Sequence, residues 1–157
     1  MKPARSILAA LAAMTLAAAL PAFAKPNYTG EWKMNASKSD YGPAPMPSSL
    51  VRKIKHEDPN LQMNTTQSGP QGEITTELKY TTDGKESANT IREQPVKGTA
   101  KWDGDTVVID SKRQIQGADA TFQEKWLLSE DGKTLTITTH ISASFGELDI
   151  KLVLEKQ

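Results

Sequence analysis

The sequence predicts an all-β domain, an up-and-down antiparallel β-barrel of about ten strands. Apolar residues alternate with polar ones, which is the period of a strand with one sheltered face. Short turns separate the alternating segments, and three of them contain the hairpin dipeptide Asp-Gly: Asp83-Gly84, Asp103-Gly104 and Asp131-Gly132. When each segment is folded back on its predecessor, the apolar residues of both fall on one face.

The predicted strands follow one another through short loops, apart from one long connection. They cover residues 28–34, 49–56, 61–67, 73–82, 85–91, 96–102, 105–115, 119–128, 134–142 and 147–156. The long connection, Asn35 to Ser48, contains Pro43, Pro45 and Pro47, which lack the backbone donor that a ladder needs. We expect this segment to form a lid or strap.

The turns also predict which residues face each other. A one-residue error would move the apolar residues of a strand to the opposite face, so the register is constrained. The predicted pairs are Tyr80–Ser87 and Leu78–Asn89 across Asp83-Gly84, Ala100–Val107 and Gly98–Ile109 across Asp103-Gly104, Arg113–Phe122 and Ser111–Glu124 across Gly117-Ala118, Trp126–Ile137 across the loop Ser129 to Thr134, and Ile141–Leu148 across the loop Ala143 to Gly146.

A sequential meander of ten strands can close into a barrel, which removes the exposed edges of an open sheet. A two-layer β-sandwich is the alternative, although sandwiches usually cross between sheets by Greek-key connections. The polar face carries charged and hydroxyl side chains such as Glu73, Lys97 and Thr136. In an outer-membrane barrel these side chains would have to meet lipid, so the pattern favours a barrel in water.

The N-terminus has the features of a secretory signal peptide. Basic residues precede an apolar run from Ile7 to Leu20, and Ala22-Phe23-Ala24 supplies the small residues of a cleavage site. The run is shorter than the roughly 20 residues of a membrane span. We expect residues 1–24 to be a signal peptide of bacterial type, residues 25–157 to form one domain without a membrane span, and the location to be periplasmic or secreted.

Composition narrows the function classes. Loss of Lys2 and Arg5 with the signal peptide leaves 17 basic and 19 acidic side chains, a balance of −2, which disfavours nucleic acid as a partner. The chain has no cysteine, so disulfides, thiol nucleophiles and thiolate metal sites are excluded. We expect no cofactor, and the oligomeric state stays open.

Neither metal chemistry nor hydrolysis has the residues it needs. His56 and His140 fall on different faces, and we expect His56 to be a surface residue at a strand end, with a haem ligand as the other possibility. The chain has no G-x-S-x-G elbow and no serine placed beside a histidine, so we predict that it is not an enzyme. A polar pocket that gathered Glu124, Arg113 and His56 within hydrogen-bond reach would favour an enzyme instead.

The same register turns charged side chains toward the sheltered face. A buried arginine stays charged and must find a partner or reach water. Arg113 and Glu124 lie diagonally across their hairpin with Ser111 opposite Glu124, which predicts a structural ion pair. Alternatively, Arg113 and Arg52 anchor a carboxylate or other anionic head group. The candidate ligand-binding residues are Arg52, Tyr80, Asn89, Trp102, Arg113, Phe122, Glu124 and Trp126.

Gly30-Glu31-Trp32 resembles the G-x-W motif of lipocalins and related calycin barrels. With the segments 32–35, 38–42 and 126–135, it makes the chain similar to small exported bacterial lipocalin-like proteins of unassigned role. The resemblance implies that Gly30 and Trp32 belong to the motif that closes one end of the barrel, and that the strap lies by the open mouth. Lys151 stands in for the arginine that stacks on the tryptophan in lipocalins.

The ten-strand count and the insertion between the first two strands are also similar to the fatty-acid-binding-protein barrel, whose lid is helical. Together these features predict reversible binding of a small hydrophobic or amphipathic molecule inside the barrel. The alternative is an envelope structural or protein-interaction module whose interior is filled by its own side chains.

Overall fold

The computed structural model describes residues 24–157, which form ten β-strands and no helix. The strands are β1 (Gly30–Met34), β2 (Ser49–Glu57), β3 (Asn60–Gly69), β4 (Gly72–Thr81), β5 (Asp83–Ile91), β6 (Gln94–Asp103), β7 (Thr106–Ile115), β8 (Ala118–Leu128), β9 (Thr134–Ala143) and β10 (Gly146–Lys156). Each end lies within two residues of the predicted position. In this part of the chain no helix is long and apolar enough to cross a membrane. The predicted signal peptide lies almost wholly outside the described residues.

The ten strands form one antiparallel sheet that is nearly closed. Its order is β4-β3-β2-β1-β10-β9-β8-β7-β6-β5, so consecutive strands pair and β1 also pairs with β10. The predicted barrel is therefore confirmed, and the sandwich alternative is wrong. Closing the sheet removes from water the apolar face that most of the strands share.

β4 and β5 do not form a strand ladder, so the barrel is open between them. The hairpin pairing predicted across Asp83-Gly84 is therefore wrong. Instead, the Asn89 side chain spans the gap: its Oδ1 accepts from Lys79 N at 2.8 Å, and its Nδ2 donates to Lys79 O at 2.9 Å. A side-chain amide thus replaces one rung of main-chain pairing, which sequence periodicity does not encode.

Two predicted hairpin registers are wrong by two residues. In the β6–β7 hairpin Asp103 pairs with Thr106, so the loop is Gly104-Asp105. Gly104 takes φ +61° at the first loop position, as a type II′ turn requires. In the β7–β8 hairpin Ile115 pairs with Ala118, and the loop is Gln116-Gly117. Both loop residues there have positive φ, 51° and 81°, which suits glycine better than alanine at the second position.

A shift of two residues leaves every side chain on its predicted face of the sheet, because side chains alternate with a period of two. The remaining two predicted registers are confirmed, with Trp126 paired to Ile137 and Leu148 paired to Ile141.

The strap, Asn35 to Ser48, contains no strand. Its first part is fixed to β10, since Asp40 N donates to Lys151 O and Lys151 N donates to Asp40 O, each at 2.7 Å. Its end is fixed to β3 by the bond from Ser48 N to Ser68 O at 2.9 Å. Between these ties lie the three prolines. The strap therefore crosses one end of the barrel, which we call the strap end.

The opposite end, which we call the packed end, holds the N-terminal segment 24–29 and the turns at Asp58-Pro59 and Gly104-Asp105. Inward side chains in this half are almost fully buried, and they include Tyr28, Trp32, Leu61, Met63, Val107, Ile109, Trp126, Leu135, Ile137 and Leu154. Toward the strap end many inward side chains are only half-buried, among them Gln67, Ile74, Thr76, Ser111, Arg113, Ile115, Leu148 and Ile150. The interior is thus closed at one end and reachable by water at the other.

Candidate functional site

A charged cluster, Arg52, Arg113 and Glu124, lies where the two halves of the interior meet. Its framework is β8, on which Phe122, Glu124 and Trp126 are successive inward residues because the strand period is two. Glu124 Oε2 accepts a hydrogen bond from Trp126 Nε1 at 2.9 Å. The carboxylate is therefore fixed to the indole of Trp126.

Arg52, on β2, lies across the barrel from β8, close enough to this carboxylate for the charge of Glu124 to act on it. Its guanidinium carbon lies 5.6 Å from the centre of the Trp126 ring, within cation–π range, and its Nε donates to Thr65 Oγ1 at 2.8 Å. The Arg52 residue as a whole is half-buried, whereas its Nη1 is enclosed and has no hydrogen-bond partner among the described residues. An enclosed donor without an acceptor is costly, which marks Arg52 as a residue with unused binding capacity.

Arg113, on β7, covers the other aromatic ring. Its guanidinium carbon lies 4.1 Å from the centre of the Phe122 ring. Burial lowers the pKa of Arg113, and Glu124 and then Tyr80 partly offset that effect. Burial also lowers the pKa of Arg52, offset by Glu124 and then by Tyr41 of the strap. An arginine pKa starts so high that both side chains stay charged at neutral pH.

The predicted ion pair between Arg113 and Glu124 does not form, because among the described residues no nitrogen–oxygen contact within 4.0 Å joins Glu124 to either arginine. The predicted support from Ser111 is wrong as well. Ser111 pairs with Phe122, and Glu124 pairs with Ile109, as a result of the two-residue register shift. Glu124 therefore influences the two arginines electrostatically without an ion-pair contact.

Tyr80 lies beside the charged cluster, close enough for Glu124 and Arg113 to affect its pKa. Burial, and next the negative charge of Glu124, raise the pKa of the Tyr80 hydroxyl to about 12, while Ser111 and Arg113 act in the opposite direction. The hydroxyl is therefore protonated at neutral pH and can donate a hydrogen bond. Six of the eight candidate ligand-binding residues are thus brought together: Arg52, Tyr80, Arg113, Phe122, Glu124 and Trp126.

The other two candidates lie elsewhere. The Asn89 amide is used on the backbone of β4. Trp102 lies at the packed end, where its Nε1 donates to Asp58 Oδ1 at 2.8 Å. Thr82 Oγ1 donates to the same Asp58 oxygen at 2.5 Å, and these two bonds, that of Thr82 first, lower the pKa of Asp58.

His56 also lies at the packed end, and the expectation of a surface residue is wrong, since only 3% of it is exposed. Tyr28 N donates to His56 Nδ1 at 3.4 Å, and Thr29 Oγ1 donates to His56 O at 3.1 Å. Burial lowers the pKa of His56, with Asp58 opposing that effect. The N-terminal segment covers the histidine, a contact between distant residues that strand periodicity could not reveal.

Trp32, the tryptophan of the G-x-W motif, lies at the packed end. It is fully buried, and its Nε1 donates to Tyr28 O at 2.9 Å. The cation over its ring is Lys156, with Nζ 5.4 Å from the ring centre, so the assignment to Lys151 is wrong. Lys151 is an exposed residue of β10 that pairs with the strap.

A groove of about 1160 Å³ is lined mainly by outward side chains of β6 to β8, and the inward residues Arg113 and Phe122 also border it. Its lining mixes basic Lys97 and Lys112 with acidic Asp110 and Asp119, so it has no dominant charge. Within residues 24–157, no group of three or more histidine, aspartate or glutamate side chains could hold a metal ion. The charged cluster inside the barrel is therefore the stronger candidate for a site.

No protein-family model matches the sequence, and no curated protein matches it. Solved structures do match. The chain is similar to zebrafish ileal bile acid-binding protein complexed with cholic acid, with 20% identity and a TM-score of 0.58 over 83% of this chain and 98% of that one. Fatty-acid-binding protein 1 of Echinococcus granulosus matches with 13% identity and a TM-score of 0.55, over 82% and 96% of the two chains.

Secretory abundant heat soluble protein 4 of Ramazzottius varieornatus matches with 15% identity and a TM-score of 0.52, over 83% and 94% of the two chains. At these identities the likeness shows the fold alone, a calycin-type barrel of the kind seen in fatty-acid- and bile-acid-binding proteins. The fold part of the resemblance is therefore confirmed, whereas a bacterial and exported origin stays a prediction.

Proposed function

We propose that this chain is a carrier that reversibly binds a small amphipathic molecule with one anionic group inside the barrel, and that it performs no chemistry. The charged cluster supports this proposal, because two guanidiniums face a single carboxylate and leave one positive charge unbalanced. Nη1 of Arg52 is an enclosed donor that has no hydrogen-bond partner in residues 24–157. A carboxylate bound there would balance the charge and accept that hydrogen bond.

The fold is consistent with this proposal. Two of the similar structures are named for binding bile acids and fatty acids. In this chain the packed end would support the apolar wall, with Trp126 and Phe122 next to the arginines. Half-buried side chains toward the strap end would provide the route from solvent.

The test is a tryptophan-fluorescence titration with pentadecanoic acid and pentadecan-1-ol, which differ in the anionic group. We expect the acid to bind more tightly, and Arg52→Met to weaken acid binding by roughly tenfold or more, since hydrogen bonds to charged groups are the stronger class. Lys53→Met is the matched control, because Lys53 is the next residue and is exposed on the outer face. Failure of both ligands to bind, or equal affinities for the two variants, would contradict the proposal.

The location is a separate part of the proposal. The N-terminal sequence supports export followed by cleavage before Lys25. Expression of the full chain in a bacterium, followed by fractionation and intact-mass measurement, tests it. We expect periplasmic or secreted protein that begins at Lys25, and recovery of uncleaved protein from the cytoplasm would contradict export.

A filled-core interaction module is the second candidate, and the packed end favours it. There the interior is occupied by the chain's own side chains, including Trp32 and Trp126, each fully buried. If this packing extended through the strap end in solution, no amphiphile would bind. The same titration therefore separates the two candidates.

A further inference from the structure

Glu124 has hydrogen-bonding capacity that the proposed carrier function does not use. One carboxylate oxygen, Oε2, accepts from Trp126 Nε1. Its other oxygen accepts no hydrogen bond from any residue that the structure describes. Neither Arg52 nor Arg113 makes an ion pair with it, although both arginines are close enough for its charge to raise their pKa values.

The cluster therefore combines an acceptor oxygen on Glu124 that accepts no hydrogen bond from the described residues with the enclosed, unpartnered Nη1 of Arg52. A simple carboxylate would satisfy the arginine and leave the Glu124 oxygen facing another negative group. Two carboxylates that face each other without a proton or donor between them repel. A head group that offers a donor to Glu124 and an anion to the arginines would satisfy both sides.

We propose that the ligand carries a neutral N–H or O–H donor next to its anionic group, as an N-acyl amino acid or a 2-hydroxy acid does, and that Glu124 accepts from this donor. This inference rests on the proposed function. It adds the class of head group and assigns Glu124 the selection of that class over plain fatty acids.

Charge balance indicates that the hydrogen-bond donor of the ligand is a neutral group and not a cation. Two arginines and one glutamate carry a net charge of +1, which a monoanion neutralises. A zwitterion would leave the positive charge unbalanced in a partly desolvated interior, where unpaired charge is costly. The donor is therefore an uncharged N–H or O–H group.

The experiment compares N-lauroylglycine with N-lauroylsarcosine, in which a methyl group replaces the amide hydrogen. Protein purified after expression of the full chain is titrated with each compound by calorimetry. We expect N-lauroylglycine to bind roughly tenfold or more tightly, the range for one hydrogen bond to a charged group. Pentadecanoic acid, which has a similar chain length and lacks the donor, should resemble the sarcosine compound.

Glu124→Gln separates the hydrogen bond from the size of the methyl group. The glutamine carbonyl can still accept from Trp126 Nε1, and its amide NH₂ then replaces the free acceptor. We expect the preference for N-lauroylglycine to disappear in this variant, while a preference due to methyl size would remain. Glu73→Gln is the control, because Glu73 is exposed on the outer face and its replacement removes the same charge.

The outcomes separate the two proposals. If both lauroyl compounds bind, depend on Arg52 and have equal affinity, this inference is overturned and the carrier function stands. If none of the three compounds binds, both are overturned. If Glu124→Gln does not fold, as judged by circular dichroism, pentadecanoic acid on the unaltered protein replaces that variant, because it lacks the donor and has no N-methyl group. Binding of pentadecanoic acid as tight as that of N-lauroylglycine would then overturn this inference.

Discussion

The packed end and the strap end are built from the same strands, yet they fill the interior differently. Along β7, the inward residues Val107 and Ile109 are at most 2% exposed, and the next two, Ser111 and Arg113, are half-buried. Alternation continues unchanged through all four positions. What changes is the side chain, from branched apolar to polar, and with it the access of water.

This difference separates stability from binding within one barrel. Apolar burial contributes about 25 cal/mol for each Å² removed from water, so the packed end should supply most of the folding free energy. Charged groups near the strap end contribute little to folding, because desolvating them costs about as much as their interactions return. A protein can keep a site of that kind only if a well-packed core supplies enough folding free energy elsewhere.

The substitution Trp32→Ala should destabilise the packed end more than any other change considered. Trp32 is fully buried and donates to Tyr28 O, so its loss leaves a large cavity and an unpaired carbonyl. We expect the free energy of unfolding to fall by about 3–5 kcal/mol. Urea denaturation followed by circular dichroism measures it. Leu127→Ala is the control, since Leu127 is 54% exposed and should change stability by about 0.5 kcal/mol or less. Equal losses for the two variants would refute a stabilising packed end.

The substitution Arg113→Met tests whether a charged residue near the strap end contributes to stability. The guanidinium is desolvated and has no ion-pair partner within the described residues, and methionine keeps the contact with Phe122. We expect the free energy of unfolding to stay the same or rise by about 1 kcal/mol. Lys112→Met, an exposed neighbour on the outer face, is the control in the same urea experiment. A loss of several kcal/mol would mean that Arg113 is a structural residue.

Much of this architecture could be predicted from the sequence. Strand positions and faces follow from alternation, which repeats in every strand. The two register errors, at Gly104-Asp105 and Gln116-Gly117, arose because a shift of two residues keeps every face unchanged. Alternation therefore cannot detect such a shift, and only the φ angles of the loop residues distinguish the alternatives.

The site could be predicted less completely. The six gathered candidates share one interior, so their face was enough to group them. Asn89 was misassigned because its amide lies in the gap between β4 and β5. The burial of His56 depends on contacts with the N-terminal segment, which has no strand period of its own. Contacts between an irregular segment and a distant strand leave no pattern in the sequence.

The smallest expected effect concerns His56 at the packed end. Burial lowers its folded pKa below the value of about 6.5 in the unfolded chain, so the unfolded state binds more protons as the pH falls. The free energy of unfolding should therefore decrease below about pH 6.5, by less than the Trp32→Ala loss. Asp58 has a lowered pKa and contributes only in more acidic solution, so between pH 7 and pH 5 the described groups with shifted pKa values that titrate are His56 and His140.

The variant His56→Gln should lack this decrease in the free energy of unfolding. Urea titrations at pH 7 and pH 5 measure it. His140→Gln provides the matched control with the opposite sign. The hydrogen bond to Asp149 raises the pKa of His140, so His140 stabilises the fold below about pH 6.5 and loses that effect as the pH rises through its folded pKa. Its removal should make the decrease at pH 5 larger. An unchanged pH dependence in His56→Gln would mean that the N-terminal segment does not hold the histidine in its neutral form.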